Sequence, residues 1–185
     1  GLKTLAQKIN MYAYIKGVLT YKCPAYVIME AGGIGYEINI SLNTYSQIQE
    51  KEQCVLQTYF HVKEDMQLLF GFADNEEKDL FVQLISISGV GPNTARMVLS
   101  TFAPTDFKRA ILHEDVATVQ SVKGIGPKSA KRIILELKDK LQKQPATENI
   151  SLSSAAGNTI YQEALSALIM LGFSRPDAEK AVQKA

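Results

Sequence analysis

The stretch "SVKGIGPKSAKRII", residues 121–134, sets two glycines on either side of one apolar residue, then Pro-Lys-Ser-Ala, then a basic and apolar run. Such a string reads as a tight turn opening into a helix. Glycine takes the backbone angles a turn demands, and proline at the first helical position lacks an N–H that would have no partner there. The phrase occurs earlier as "SISGVGPNTARMVL", residues 86–99. Gly89, Gly91, Pro92, Ala95 and Arg96 recur 35 positions later as Gly124, Gly126, Pro127, Ala130 and Lys131. A fixed period of this kind marks an internal duplication, and each copy is predicted as helix, hairpin, helix.

Neither copy is a nucleotide loop. The phosphate loop of ATPases needs GxxxxGK[ST] and the dinucleotide fingerprint needs GxGxxG after a strand, and residues 89–94 and 124–129 fit neither, so no ATP site is expected. What remains is a hairpin whose glycines let backbone N–H groups approach an anion beside the partial positive charge of a helix N-terminus. The second copy adds Lys128, Ser129, Lys131 and Arg132; the first offers the weaker set Asn93, Thr94 and Arg96. With the tips Gly89, Val90, Gly91, Gly124, Ile125 and Gly126, these form the candidate phosphate-binding set. A single glycine turn is ordinarily just a helix-helix connection. Two matching copies with cationic followers favour the anion site, and such contacts position a protein on nucleic acid without reading its bases.

Charge distribution agrees. The net charge of +1 argues against a generally basic coat protein, but residues 121–143 hold seven basic and two acidic side chains, the local excess an anion site requires. A solvated helix face is the alternative reading of that excess.

Upstream of the first copy, Asp74 and Glu77 form an N-cap and capping-box pattern before the apolar-periodic "LFVQLISI". Between the copies, "PTDFKRAILH" and "EDVATVQS" read as helices, and "PKSAKRIILELKDKL" as a long one. From Tyr12 to Phe72 the grammar is that of strands: "YAYIKGVLT", "AYVIMEA", "IGYEINI", "VLQTYFHV" and "MQLLFGF", with "SLNTYSQI" an irregular or short helical connection. Five strands of this length suggest a small closed barrel of the OB kind. Residues 142–158 lose periodicity and fill with small polar residues, which reads as a linker. After it, Ile160, Ala164, Leu168 and Leu171 recover helical spacing, Gly172 ends that helix and Ser174 caps the next.

The expected layout is therefore residues 1–10 as an extension before Met11, 11–73 as barrel, 74–141 as tandem helix-hairpin-helix domain, 142–158 as linker and 159–185 as a small helical domain. A length of 185 residues with 46% apolar content is enough for real cores. No apolar run reaches the roughly 18 residues that span a bilayer, and Lys16 and Lys22 interrupt the only N-terminal region that could be a signal, so the cytoplasm is expected. Cys23 and Cys54 stand alone, without metal-ligand spacing, and read as reduced thiols; no metal or cofactor is expected.

"SGVGPNTA" and "KGIGPKSAKRIILELKDKL" resemble the paired hairpins of the RuvA family, the Holliday junction-binding subunits of the bacterial branch migration complex. The likeness continues through "MYAYIKG", "GGIGYEI", "HVKEDMQLLFGF" and "ALIMLGFS", covering nearly the whole chain after residue 10. It implies an OB-fold barrel, a tandem helix-hairpin-helix domain and a ubiquitin-associated-like C-terminal domain. It further implies a homotetramer, one or two of which hold a four-way DNA junction open in recombination and repair. The implied partners are the motor ATPase RuvB and the resolvase RuvC, with no catalysis by the chain itself. Glu64 and Asp65 match the family's acidic pin, whose carboxylates meet at the crossover and repel phosphates, and Lys63 matches a basic position beside it. Leu165, Leu168, Ile169, Leu171 and Phe173 would contact the motor. Asn93 and Pro127 stand where the family often has lysine, so the first hairpin is expected to bind with less charge assistance. The C-terminal segment ends at Ala185, where the resemblance implies a further helix.

Two other classes stay open on the residues alone. A helix-hairpin-helix nuclease or glycosylase needs a carboxylate cluster or a Lys/Asp pair beside the hairpin, and only Glu64-Asp65 is evident, with His61 and His113 far apart. A protein-interaction module is suggested by "LIMLGF", which resembles the loop of ubiquitin-associated domains.

Overall fold

The computed structural model describes residues 11–143 and, beyond them, Leu168 and Ala181. The chain divides into two units, one ending at Lys143 and one from Gln144 onward; in the second, Leu168 and Ala181 are both helical.

The first unit begins with five strands, β1 (Tyr14–Lys22), β2 (Tyr26–Ala31), β3 (Ile34–Asn39), β4 (Gln53–Lys63) and β5 (Met66–Phe72), with helix α1 (Leu42–Ile48) between β3 and β4. They close into a barrel in the order β1-β2-β3-β5-β4, antiparallel throughout except for the β3–β5 pair, which is parallel at Asn39 and Phe70. That is the expected five-stranded OB-like barrel. Its interior follows the period-two pattern: Ile15 and Leu19 on β1, Val27 and Met29 on β2, Ile38 on β3, Leu56 on β4 and Leu69 on β5 point inward, and Ile48 of α1 joins them. Gly17 lets β1 bend close to β2, since a Cβ there would stand 2.2 Å from the Glu30 carbonyl oxygen.

Five helices follow among the described residues: α2 (Asn75–Ile85), α3 (Pro92–Thr101), α4 (Pro104–Leu112), α5 (Val116–Gln120) and α6 (Pro127–Lys143). Helix α6 runs two residues past the expected end at 141. The duplication extends from the turns into the core. Ile87, Val90, Ala95, Val98 and Leu99 are buried, and so are their counterparts Val122, Ile125, Ala130, Ile133 and Ile134. Ala95 and Ala130 are fully covered, and their small side chains let the two helices of each copy approach closely.

Barrel and helices meet along β5, with Tyr59 of β4 beside it. On β5, Leu69 faces the barrel interior while Phe70 and Phe72 face the helices, where both rings meet Phe81 of α2 at 5.0 and 4.9 Å between centroids. Buried on both faces, β5 reads as a continuous apolar run rather than an alternating one. Burial of rings of this size contributes on the order of 2 kcal/mol each.

Polar ties cross the same boundary. The Lys78 ammonium donates to the Ala13 carbonyl at 3.1 Å, Arg96 Nη1 to the Ala25 carbonyl at 2.8 Å, and the Leu42 N–H to Ser100 Oγ at 3.1 Å. Glu77 departs from the capping-box expectation. Asp74 caps α2 by accepting from the Glu77 N–H at 2.8 Å, but the Glu77 carboxylate does not return to the cap; it accepts from Ser41 and Thr44 at the start of α1.

Candidate nucleic-acid interface

The two hairpins are built alike. In each, a four-residue turn closes with an N–H to carbonyl bond, Val90 to Ile87 at 3.0 Å and Ile125 to Val122 at 3.1 Å. Its third residue is Gly89 (φ +88) in one copy and Gly124 (φ +93) in the other, while Ser88 and Lys123 keep negative φ, the pattern of a type II turn. The helix then starts at proline, and its first intrahelical bond runs from Ala95 to Gly91 at 3.0 Å or from Ala130 to Gly126 at 2.9 Å. Helix α3 has no side-chain cap, so the N–H groups of Asn93 and Thr94 have no intrahelical partner, and those of Lys128 and Ser129 occupy the same place in α6.

The four tip glycines serve different ends. Gly89 and Gly124 are fixed by their positive φ. Gly91 has an ordinary extended φ of −85, Gly126 is not in the positive region either, and a Cβ at either would meet nothing within 4 Å. Among the described residues nothing requires glycine at 91 or 126. A bare backbone there suits the close approach of another molecule.

Val90 and Ile125, included among the phosphate-binding candidates, are 7% and 6% exposed and belong to the helical core, and their N–H groups are used within the turns. They anchor the tips, leaving the flanking glycines and helix N-termini facing outward.

The local cation excess is smaller than the count suggests. Arg132 pairs with Glu136 at 2.7 Å, Lys138 with Glu114, and the Lys140 ammonium meets Ser86 Oγ at 2.5 Å. Lys128 and Lys131 are exposed and make no ion pair among the described residues. Lys123 shares that state and was not singled out by the motif. It directly precedes Gly124, at the position Ser88 holds in the first copy, and the signal that could have found it was the 35-residue register itself. The exposed Arg132–Glu136 pair contributes a few tenths of a kcal/mol, little enough for a phosphate to displace. Arg96 spends one donor on the barrel, which leaves the first hairpin with Asn93 and Thr94 as its forward polar groups.

Glu64 and Asp65 form the two-residue turn between β4 and β5, bounded by the pair Lys63 and Met66. Strand β4 is held against β1 and the residues just before it through Thr58, whose N–H donates to the Ala13 carbonyl at 3.1 Å, and Phe60, whose ring meets Tyr12, and β5 pairs with β3 at Phe70, so the part of β4 and β5 from His61 to Leu68 extends as a two-stranded ribbon. Its base is held by Tyr59, whose ring lies 5.5 Å from Phe81 and 6.3 Å from the His61 ring. Burial, and secondarily the charge of Lys63, lower the His61 pKa, so the ribbon carries a neutral imidazole at ordinary pH. Lys63, Glu64 and Asp65 are all exposed and make no ion pair among the described residues. The tip thus presents two carboxylates to whatever lies in front of it. Among the described residues no three His, Cys, Asp or Glu side chains come together as a metal site.

Comparison with known proteins agrees with this layout. Residues 11–71 match the RuvA N terminal domain, 81–139 the SAM-like helix-hairpin-helix tandem and 159–185 the RuvA C-terminal domain. The Holliday junction branch migration complex subunit RuvA of Cytophaga hutchinsonii is 51% identical over 176 residues, covering 92% of this chain and 87% of that protein. The chain belongs to the RuvA family. Other RuvA relatives include those of Christiangramia forsetii, 50% identical over 174 residues with 94% and 89% covered, and of Bacteroides fragilis, 44% identical over 179 residues with 93% and 89% covered.

Within the RuvA N-terminal match lie the barrel and the acidic ribbon; within the tandem match lie both hairpins. Of the residues expected to contact the motor, Leu168 is helical and half-buried, while Leu165, Ile169, Leu171 and Phe173 lie outside the described residues, as do residues 1–10 and 144–158.

Proposed function

We propose that this chain is the non-catalytic, junction-binding subunit of a branch migration complex. As a homotetramer, one or two to a junction, it would hold four DNA arms open in a plane and recruit the motor ATPase RuvB, with RuvC as a further partner and the cytoplasm as its place of work. The observation that carries this reading is the paired hairpin tip: backbone free of side chains at Gly91 and Gly126, beside unpartnered helix N-terminal N–H groups, with Lys123, Lys128 and Lys131 around the second copy. Such tips bind backbone phosphates of any sequence, so selectivity has to come from their arrangement and from what repels DNA elsewhere.

The Glu64-Asp65 ribbon supplies the repulsion. Carboxylates brought to the crossover disfavour a continuous duplex running through the centre and favour strands that part around it. The nuclease alternative finds no support in the carboxylate arrangement of the described residues.

If Lys123 and Lys128 of the second hairpin each neutralise about one phosphate in all four subunits of a tetramer, about eight in total, the log-log salt slope of junction binding is roughly −7. Lys128→Ala removes the leading cation of the second hairpin in every subunit and should make that slope shallower by about half. Gel-shift titration of a synthetic four-way junction at several salt concentrations measures it. An unchanged slope would remove the second hairpin from the DNA contact.

A further inference from the structure

Among the described residues Glu77 is the one acidic side chain that is buried, fully covered, and the phosphate and pin chemistry make no use of it. It lies in the first turn of α2, with the hairpin domain, yet its carboxylate accepts from Ser41, the N-cap of α1, and from Thr44 Oγ1 at 2.5 Å, both on the barrel side. Each hydroxyl is already an acceptor: Ser41 Oγ takes the Thr44 N–H at 3.0 Å and Thr44 Oγ1 takes the Ala73 N–H at 3.0 Å. Each therefore has its single proton to give, and both protons go to Glu77. A carboxylate only accepts, so the direction of the network is fixed. The same carboxylate stands at the N-terminal ends of two helices, one from each side of the boundary, where their dipoles favour negative charge. Ala73 is the link between β5 and α2, and its N–H is locked by the same cluster.

We propose that Glu77 is the positioning residue that sets the angle between barrel and hairpin domain, and so holds the acidic ribbon in register with the phosphate-binding tips. The inference rests on the junction-binding reading above for its consequence, though not for the geometry. Aromatic packing of Phe70 and Phe72 on Phe81 holds the two halves together without fixing their direction, because apolar contact is non-directional, and the bonds of Lys78, Arg96 and Ser100 across the same boundary are exposed to competing water, unlike the buried bonds of Glu77. The cluster of Glu77, Ser41 and Thr44 supplies direction: its hydrogen bonds are made at one relative orientation of α1 and α2. Burying a carboxylate is costly, so this cluster is weak evidence of added stability, and a geometric task is the role we assign to it.

Two readouts test this on the full chain. Spin labels at Gln47→Cys on α1 and Thr105→Cys on α4, with Cys23 and Cys54 changed to Ser and labelled protein diluted into unlabelled, report the distance across the boundary. Binding titrations against a four-way junction and a linear duplex report selectivity. Glu77→Gln keeps the shape but presents an NH2 group where a hydroxyl needs an acceptor. We expect a broadened or displaced distance distribution, a melting temperature lowered by the clash of two buried donors, an unchanged duplex affinity, and a junction-over-duplex ratio lower by roughly tenfold, the scale of coupling between separate sites. A distribution like that of the unsubstituted protein overturns the proposal, as does a parallel loss of melting temperature and both affinities, which would make Glu77 merely structural. If Glu77→Gln does not fold, Thr44→Val carries the test: a shifted distribution supports positioning and an unshifted one ends it. Should the unsubstituted protein show no junction preference, the functional reading fails while the distances still decide the role of Glu77.

Discussion

Gly124 and Gly126, two residues apart, are expected to fail in opposite ways. Gly124 holds a φ of +93, where any Cβ is strained, so Gly124→Ala should cost about 1–2 kcal/mol of stability, read by denaturant unfolding. Gly126 has neither a positive φ nor a neighbour for a Cβ to strike, so Gly126→Ala should leave stability within about 0.5 kcal/mol while weakening junction binding. Loss of stability at Gly126 with unchanged binding would reverse the assignment. The motif displays both glycines as equivalent letters; only the backbone angle separates the one needed by the turn from the one left bare for a partner. Glu77 shows the same limit. Asp-x-x-Glu before an apolar run signals a capping box, and Asp74 does cap, but the partners that draw the Glu77 carboxylate away lie more than thirty residues upstream and leave no local trace. Burial raises its pKa above the ordinary value of about 4.3 for glutamate, opposed by the hydrogen bonds from Ser41 and Thr44 and reinforced by Asp74. The folded chain therefore takes up this proton at higher pH than the unfolded chain does. Stability from this group rises as pH falls from the raised value toward the ordinary one, and is lost again as pH rises. Comparative unfolding of the unsubstituted protein and Glu77→Gln between neutral and mildly acidic pH should show this gain only in the former.

At the scale of elements, the β4–β5 ribbon trades folding preference for charge. Two-residue hairpins favour Asn-Gly or Asp-Gly, whose positive φ matches strand twist, yet Glu64 and Asp65 hold the turn with neither in that region. Residues chosen for the turn alone would be different ones. Replacing Glu64 and Asp65 by Gln and Asn should therefore leave the barrel folded, keep or raise affinity for DNA, and relax the preference for junctions, as measured by competition between junction and duplex. Reduced affinity would contradict the repulsive role. The strands themselves were legible from alternation and the helices from their spacing, because each buries one face against a core formed within its own unit. Less legible was that β5 serves two cores at once: "MQLLFGF" shows that it is buried on both faces, but not that Phe70 and Phe72 reach Phe81. The cationic cluster was legible in number and not in availability, since Glu114, Glu136 and Ser86 engage three of its members.

At the scale of the whole molecule, under the proposed function, attraction falls to the exposed lysines of the helical half and repulsion to the exposed carboxylates of a barrel ribbon, and the boundary between these two halves is packed and hydrogen-bonded. DNA recognition should accordingly survive removal of residues 144–185, with junction affinity unchanged and any stimulation of the motor ATPase lost. The central claim is that this arrangement reads the shape of DNA rather than its sequence. The most direct test is a titration of the pure protein against a synthetic four-way junction and a linear duplex of the same arms, across several salt concentrations. Strong preference for the junction, with a log-log salt slope near roughly −7, is the result the account predicts. Equal affinity for the two, or binding to neither, would contradict it.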